Sequence, residues 1–75
     1  MDYEYTVKFY FNKNLEEEYK IKTNVGRETF AEEISNGFNE KLWYSFTETE
    51  NYRTILINTR EIYKVSVVQD TVEFD

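Results

Sequence analysis

The chain is 75 residues long and carries 9 Lys and Arg against 15 Asp and Glu, a formal net charge of -6. It has no His, Cys or Pro and only 2 Gly, while aromatic residues make up 19% of it. That length allows one domain, spanning 1–75, and that composition excludes a disulfide, a thiolate metal site and the side chain most used for zinc ligation and acid–base work.

Residues 3–11 alternate: Tyr3, Tyr5, Val7, Phe9 and Phe11 fall on one face, with Glu4, Thr6, Lys8 and Tyr10 on the other. A period of two predicts a half-buried strand. Asn12-Lys13-Asn14 suits a hairpin turn, because Asn tolerates positive φ. Residues 16–22 alternate again, with Glu18, Lys20 and Lys22 opposite Tyr19 and Ile21. The period then changes. Phe30, Ala31, Ile34 and Phe38 have helical spacing, which predicts a helix over about 27–38. Thr29 with Glu32 offers a capping box, Thr23 or Asn24 an earlier cap, and Gly37 a stop.

Three strand-like runs follow. The first is 41–47, with Leu42, Trp43, Tyr44 and Phe46. The second is 52–58, apolar on both faces, a profile expected of a central strand. The third is 62–69, and its continuation over 70–75 reads either as a flexible acidic tail or as more strand. Short polar turns separate the runs, so pairing should be mostly antiparallel. The expected fold is α+β, in the order β-β-α-β-β-β, with the helix packed on one face of a sheet. A strongly curved, barrel-like sheet is the variant.

No residue pattern replaces the missing His and Cys. Ser35, Ser45 and Ser66 lack a nucleophile elbow around them. Glu16-Glu17-Glu18 would be splayed to both faces of a strand, which disfavours joint metal ligation. A single glycine, Gly26, precedes the helix, which is a poor phosphate loop. The expectation is therefore no enzyme, no cofactor and no metal. A nucleic-acid partner is disfavoured by the net charge, although Lys8, Lys20 and Lys22 share a hairpin face with Tyr10. The longest aliphatic run, Ile55-Leu56-Ile57, falls far short of the ~20 residues needed to span a bilayer. Met1-Asp2-Tyr3-Glu4 has the wrong charge for a secretory leader, so a cytoplasmic protein without a membrane partner is expected. Phe, Tyr, Met, Ile, Asn and Lys, with AT-rich codons, total 32 residues against six for Gly, Ala, Arg and Pro. That bias suggests a low-GC bacterium or one of its phages or plasmids.

The aromatic excess is the strongest functional lead. Tyr5, Val7, Phe9, Phe11, Ile21, Phe30, Ile34, Phe38, Ile55, Ile57, Val65 and Val67 suffice for a small core. Tyr10, Trp43 and Tyr52 are left over, and Tyr and Trp are enriched at protein–protein hot spots. These three residues are the expected partner-binding set, on an aromatic sheet surface. The partner is a protein, with a second copy of the chain as the simplest case, giving a homodimer. The alternative is an acidic mimic of nucleic acid built from Glu16, Glu17, Glu18, Glu28, Glu32, Glu33, Glu48 and Glu50. Ile57 to Val65 reads as strand, turn, strand, a pattern too generic to name a family.

Overall fold

The computed structural model describes residues 2–12 and 14–74, with residues 71–74 described by their backbone alone. The first alternating run forms β1, Asp2–Phe11. Its Tyr5, Val7 and Phe9 are fully buried. The chain reverses onto β2, Leu15–Thr23, placing Tyr5 opposite Ile21 and Phe11 opposite Leu15. The reversal ends on Asn14 at φ 63°, a left-handed conformation that Asn enters more readily than most residues. Lys13 of the expected turn lies outside the described residues.

The helical spacing gives α1, Arg27–Glu40, with Phe30 and Ile34 buried and Phe38 packed against the same core. Two local expectations fail. The N-cap is Gly26 and no side chain caps the helix, so neither the Thr29–Glu32 box nor Thr23 or Asn24 serves there. Instead, the Thr23 Oγ1 accepts a bond from the Val25 N–H at 3.3 Å. Nor does Gly37 stop the helix, which runs one turn further to Glu40. Its value is proximity: a Cβ on Gly37 would lie 2.8 Å from Cδ1 of Tyr44.

Two strands follow, β3 at Trp43–Glu48 and β4 at Arg53–Asn58, paired with Trp43 opposite Asn58 and Glu48 opposite Arg53. A single 3₁₀ turn, Thr59–Glu61, then leads to β5, Ile62–Phe74. The turn is set by the Asn58 side chain, whose Oδ1 accepts from the Arg60 N–H at 3.0 Å. It redirects the chain, so β5 does not pair with β4. It pairs with β1 instead, Phe9 opposite Val65 and Val7 opposite Val67.

The result is an α+β fold in the expected element order, with every strand pair antiparallel. The strands form two sheets, β2-β1-β5 and β3-β4, and not a closed barrel. The barrel-like variant is thereby excluded. The central strand is β1, which corrects the expectation for 52–58. Between the sheets run a bond from the Thr49 N–H to the Lys20 carbonyl and one from the Lys22 N–H to Thr49 Oγ1, both 2.8 Å. Residues 70–74 continue β5 as strand, and Asp75 lies outside the described residues.

All twelve residues expected in the core belong to one hydrophobic cluster, joined by Tyr3, Tyr19, Val25, Tyr44, Phe46 and Ile62. Stacking is centred on β1. Tyr5 stacks on Phe30 at 4.8 Å between ring centroids, and Phe9 on Phe46 at 5.5 Å and Phe38 at 6.2 Å. The Tyr5 hydroxyl donates to the Val25 carbonyl at 2.7 Å. Burial pushes the pKa of that phenol up. Among the described residues no helix is long and apolar enough to cross a membrane.

The helix–β3 approach yields a test. Gly37→Ala gains up to about 1 kcal/mol of helix propensity, but overpacking against the Tyr44 ring costs about 1–3 kcal/mol. Urea unfolding should show a net loss. A net gain would mean that the Tyr44 ring moves aside freely.

Candidate interaction surface

Alternation in β3 and β4 divides their side chains cleanly. Tyr44, Phe46, Ile55 and Ile57 face the core. Trp43, Ser45, Thr47, Thr54 and Leu56 are exposed. Trp43 is 51% and Leu56 61% exposed. Trp43 pairs with Asn58 and Ser45 with Leu56, so Trp43 and Leu56 are diagonal neighbours within reach of one another on a single face. Leu42, 45% exposed, precedes Trp43. Its backbone is fixed by Thr59, whose N–H and hydroxyl donate to the Leu42 carbonyl at 2.9 and 3.0 Å. No described element packs on this face.

The structure separates the three residues singled out in the sequence. Trp43 and Tyr52 stand at opposite ends of the β3–β4 hairpin, with roughly 17 Å of strand between them. Tyr52 is 83% exposed. It lies in the turn before β4 and not in the strand, at φ 53°. A left-handed conformation strains a tyrosine, and a Gly or Asn would serve the turn better. Tyr10 is half-buried on the outward face of the other sheet. The Lys64 ammonium lies 4.8 Å from the centroid of its ring, and Tyr63 packs at 6.2 Å. Tyr10 is thus already engaged by its own sheet.

The sequence reading missed Leu42, Leu56 and the exposed Tyr63. The parity of Leu56, opposite to that of Ile55 and Ile57, was legible, but whether a second layer covers it was not. Tyr63 carried no signal at all. Tyr10 pairs with Lys64 and Phe11 with Ile62, so Tyr63 is the extra residue of a bulge, and no sequence signal marks it.

The charges around this surface are largely satisfied within the fold. Glu48 is 4% exposed, its Oε1 accepting from Arg53 Nε at 3.1 Å and from Asn51 Nδ2 at 3.2 Å. Lys8 pairs with Glu16 at 3.8 Å and Glu18 at 3.9 Å. The Tyr19 hydroxyl donates to Glu17. Its pKa is pushed up to about 12, first by burial and then by that bond. Across all three strands of the larger sheet, Lys20 Nζ donates to Thr6 Oγ1 at 2.6 Å and to Asp70 Oδ2 at 3.1 Å. Thr6 Oγ1 donates in turn to Asp70 Oδ2 at 2.7 Å. Lys8 and Lys20 therefore spend their charge internally, which leaves little of the basic face suggested for nucleic acid.

No family model, curated protein or solved structure matches the chain.

The Thr6 bond, followed by the Lys20 contacts, lowers the Asp70 pKa, and the Asp70 bond raises that of Lys20. Asp70 therefore adds stability above the ordinary carboxylate range, lost as pH falls through its depressed folded pKa. Lys20 adds stability below the ordinary lysine range, lost as pH rises through its elevated folded pKa. Asp70→Asn should flatten the acid limb of a stability–pH curve, and an unchanged acid limb would show that the network contributes nothing. At the hairpin tip, Tyr52→Gly should raise stability by up to about 1 kcal/mol in urea unfolding. A loss there would show that the ring holds the turn.

Proposed function

We propose that the chain is a non-enzymatic interaction module that binds a protein partner through the outer face of the β3–β4 hairpin, around Trp43, Leu42 and Leu56. One observation carries this reading. A tryptophan and a leucine sit more than half exposed and adjacent on a sheet face that no other described element covers. Exposed apolar residues grouped in this way mark interaction sites, and tryptophan is the residue most often found at the energetic centre of one. The face has no ionisable side chain among Trp43, Ser45, Thr47, Thr54 and Leu56, so its binding would be driven by apolar burial. Tyr10 and Tyr52 belong to other parts of the surface and are not included in this contact.

The nucleic-acid mimic is the weaker alternative. Of its eight candidate acids, Glu16 and Glu18 are paired with Lys8, Glu17 accepts from Tyr19, and Glu48 is buried against Arg53. The remaining acidic surface is chiefly that of α1. A low-GC bacterial, phage or plasmid setting and a cytoplasmic location are compatible with both readings.

The test uses a partner captured by the immobilised chain and then purified. Trp43→Ala should weaken its binding by about 30-fold or more, the loss of about 2 kcal/mol typical of a hot spot. Circular dichroism and the unfolding midpoint should stay near those of the unaltered chain, and binding should survive ~0.5 M salt. Unfolding of the Trp43→Ala chain would make the residue part of the core. Binding that fades in salt and is lost in a Glu28→Gln, Glu32→Gln, Glu33→Gln chain would favour the mimic.

A further inference from the structure

We propose a second interaction surface, separate from the β3–β4 face: the outer edge of β5 pairs with the β5 of a second copy, antiparallel, about a two-fold axis through Val67. β1 occupies one side of β5, and among the described residues no strand occupies the other. β5 is the longest strand, 13 residues. Such an edge is a template for another strand unless something blunts it. Here the irregularities lie at Tyr63 and near Asp70, and the register with β1 runs unbroken from Lys64 to Gln69 between them.

The self-pairing is constrained by symmetry. An antiparallel two-fold that keeps opposite side chains on one face must be centred on a residue. Centred on Val67, it sets Val67 against its copy, Ser66 against Val68, and Lys64 against Asp70 in both directions. The last pair places two ion pairs between copies: Asp70, the extra residue of the bulge, keeps its Oδ2 on Thr6 and Lys20 and turns Oδ1 to the Lys64 of the second copy. Lys64 and Asp70 both belong to the outward face, with Tyr10 and Thr6 respectively. Centring one residue earlier, on Ser66, sets Lys64 against Val68 and loses both ion pairs. Charge thus selects the register. The two residues also cancel, so the stretch from Lys64 to Asp70 is neutral in a chain whose formal net charge is -6.

The inner side of the same strand supplies the apolar component. α1 packs loosely on β5, leaving a cavity of about 320 Å³ lined by Ala31, Ile34, Phe38, Val65 and Val67. A second copy would extend the sheet floor beside this cavity with its own Val65 and Val67, removing apolar lining from water. Main-chain bonds along the edge would give affinity, and the cavity and ion pairs would give register.

The chain contains no Cys, which makes cross-linking clean. Val67→Cys should oxidise to a covalent dimer more readily than Ser66→Cys, because only position 67 meets itself. Light scattering after size exclusion should give twice the chain mass as concentration rises towards millimolar. Lys64→Glu, at an exposed position, should weaken that dimer at least about tenfold while the fold persists. A monomer at every concentration overturns the proposal, as does faster cross-linking through Ser66→Cys. A dimer abolished by Trp43→Ala and untouched by Lys64→Glu also overturns it, and would assign self-association to the β3–β4 face.

Discussion

Everything in this fold depends on one stripe of three side chains, Tyr5, Val7 and Phe9, on the inner face of β1. Each fully buried large side chain contributes about 1.5–3 kcal/mol relative to exposure, and these three are the only ones with no exposed surface among the described residues. β2 and β5 are hydrogen-bonded to the strand that carries them. α1 lays Phe30 on Tyr5 and Phe38 on Phe9, and β3 lays Phe46 on Phe9. The two sheets meet through the ring contacts of Phe46 with Phe9 and Tyr19 and through the two bonds at Thr49. A chain with no disulfide and 2 glycines has little else to tie it together. Aromatic rings solve that problem because each buries a large area at the cost of few rotatable bonds.

That use of aromatics also defines what is left over. Most rings touch the β1 stripe directly or through one neighbour. Tyr10, Trp43, Tyr52 and Tyr63 do not, and the last three are exposed. Trp43 is set apart by company and by conformation. It has Leu56 beside it on a face that no described element covers, and the exposed Leu42 precedes it in the chain, whereas Tyr52 stands alone on a strained turn and Tyr63 is thrown out by a bulge. The charged residues show the reverse pattern. Lys8 is bound to Glu16 and Glu18, Lys20 to Asp70 and Arg53 to Glu48, each across strands, so the fold neutralises charge internally while leaving apolar surface open.

Much of this was legible in the sequence, and the limits have physical causes. Alternation in 3–11 and helical spacing at Phe30, Ile34 and Phe38 identified which side chains enter the core, because each signal is local. Strand partners are not local. β5 pairs with β1 across some sixty residues, and a short turn after Asn58 looked like one more hairpin. The run 52–58 read as a central strand because Leu56 sits between Ile55 and Ile57. A leucine facing solvent and one facing a second layer are indistinguishable without knowing whether a second layer exists. The burial of Glu48 was hidden for a similar reason: its partners Arg53 and Asn51 lie across a turn whose geometry the sequence did not specify. Tyr10, Trp43 and Tyr52 were singled out together, but residues outside the core stripe need not share a surface, and these do not.

The central claim is that the aromatic surplus at Trp43 is open surface in the isolated chain. Trp43 is the only tryptophan, so its fluorescence reports this one position. In dilute solution the folded chain should emit close to the wavelength of tryptophan in water and be quenched by acrylamide almost as readily as the unfolded chain. A blue-shifted emission, shielded from acrylamide at concentrations where the chain is a monomer, would place Trp43 in the core and contradict the account.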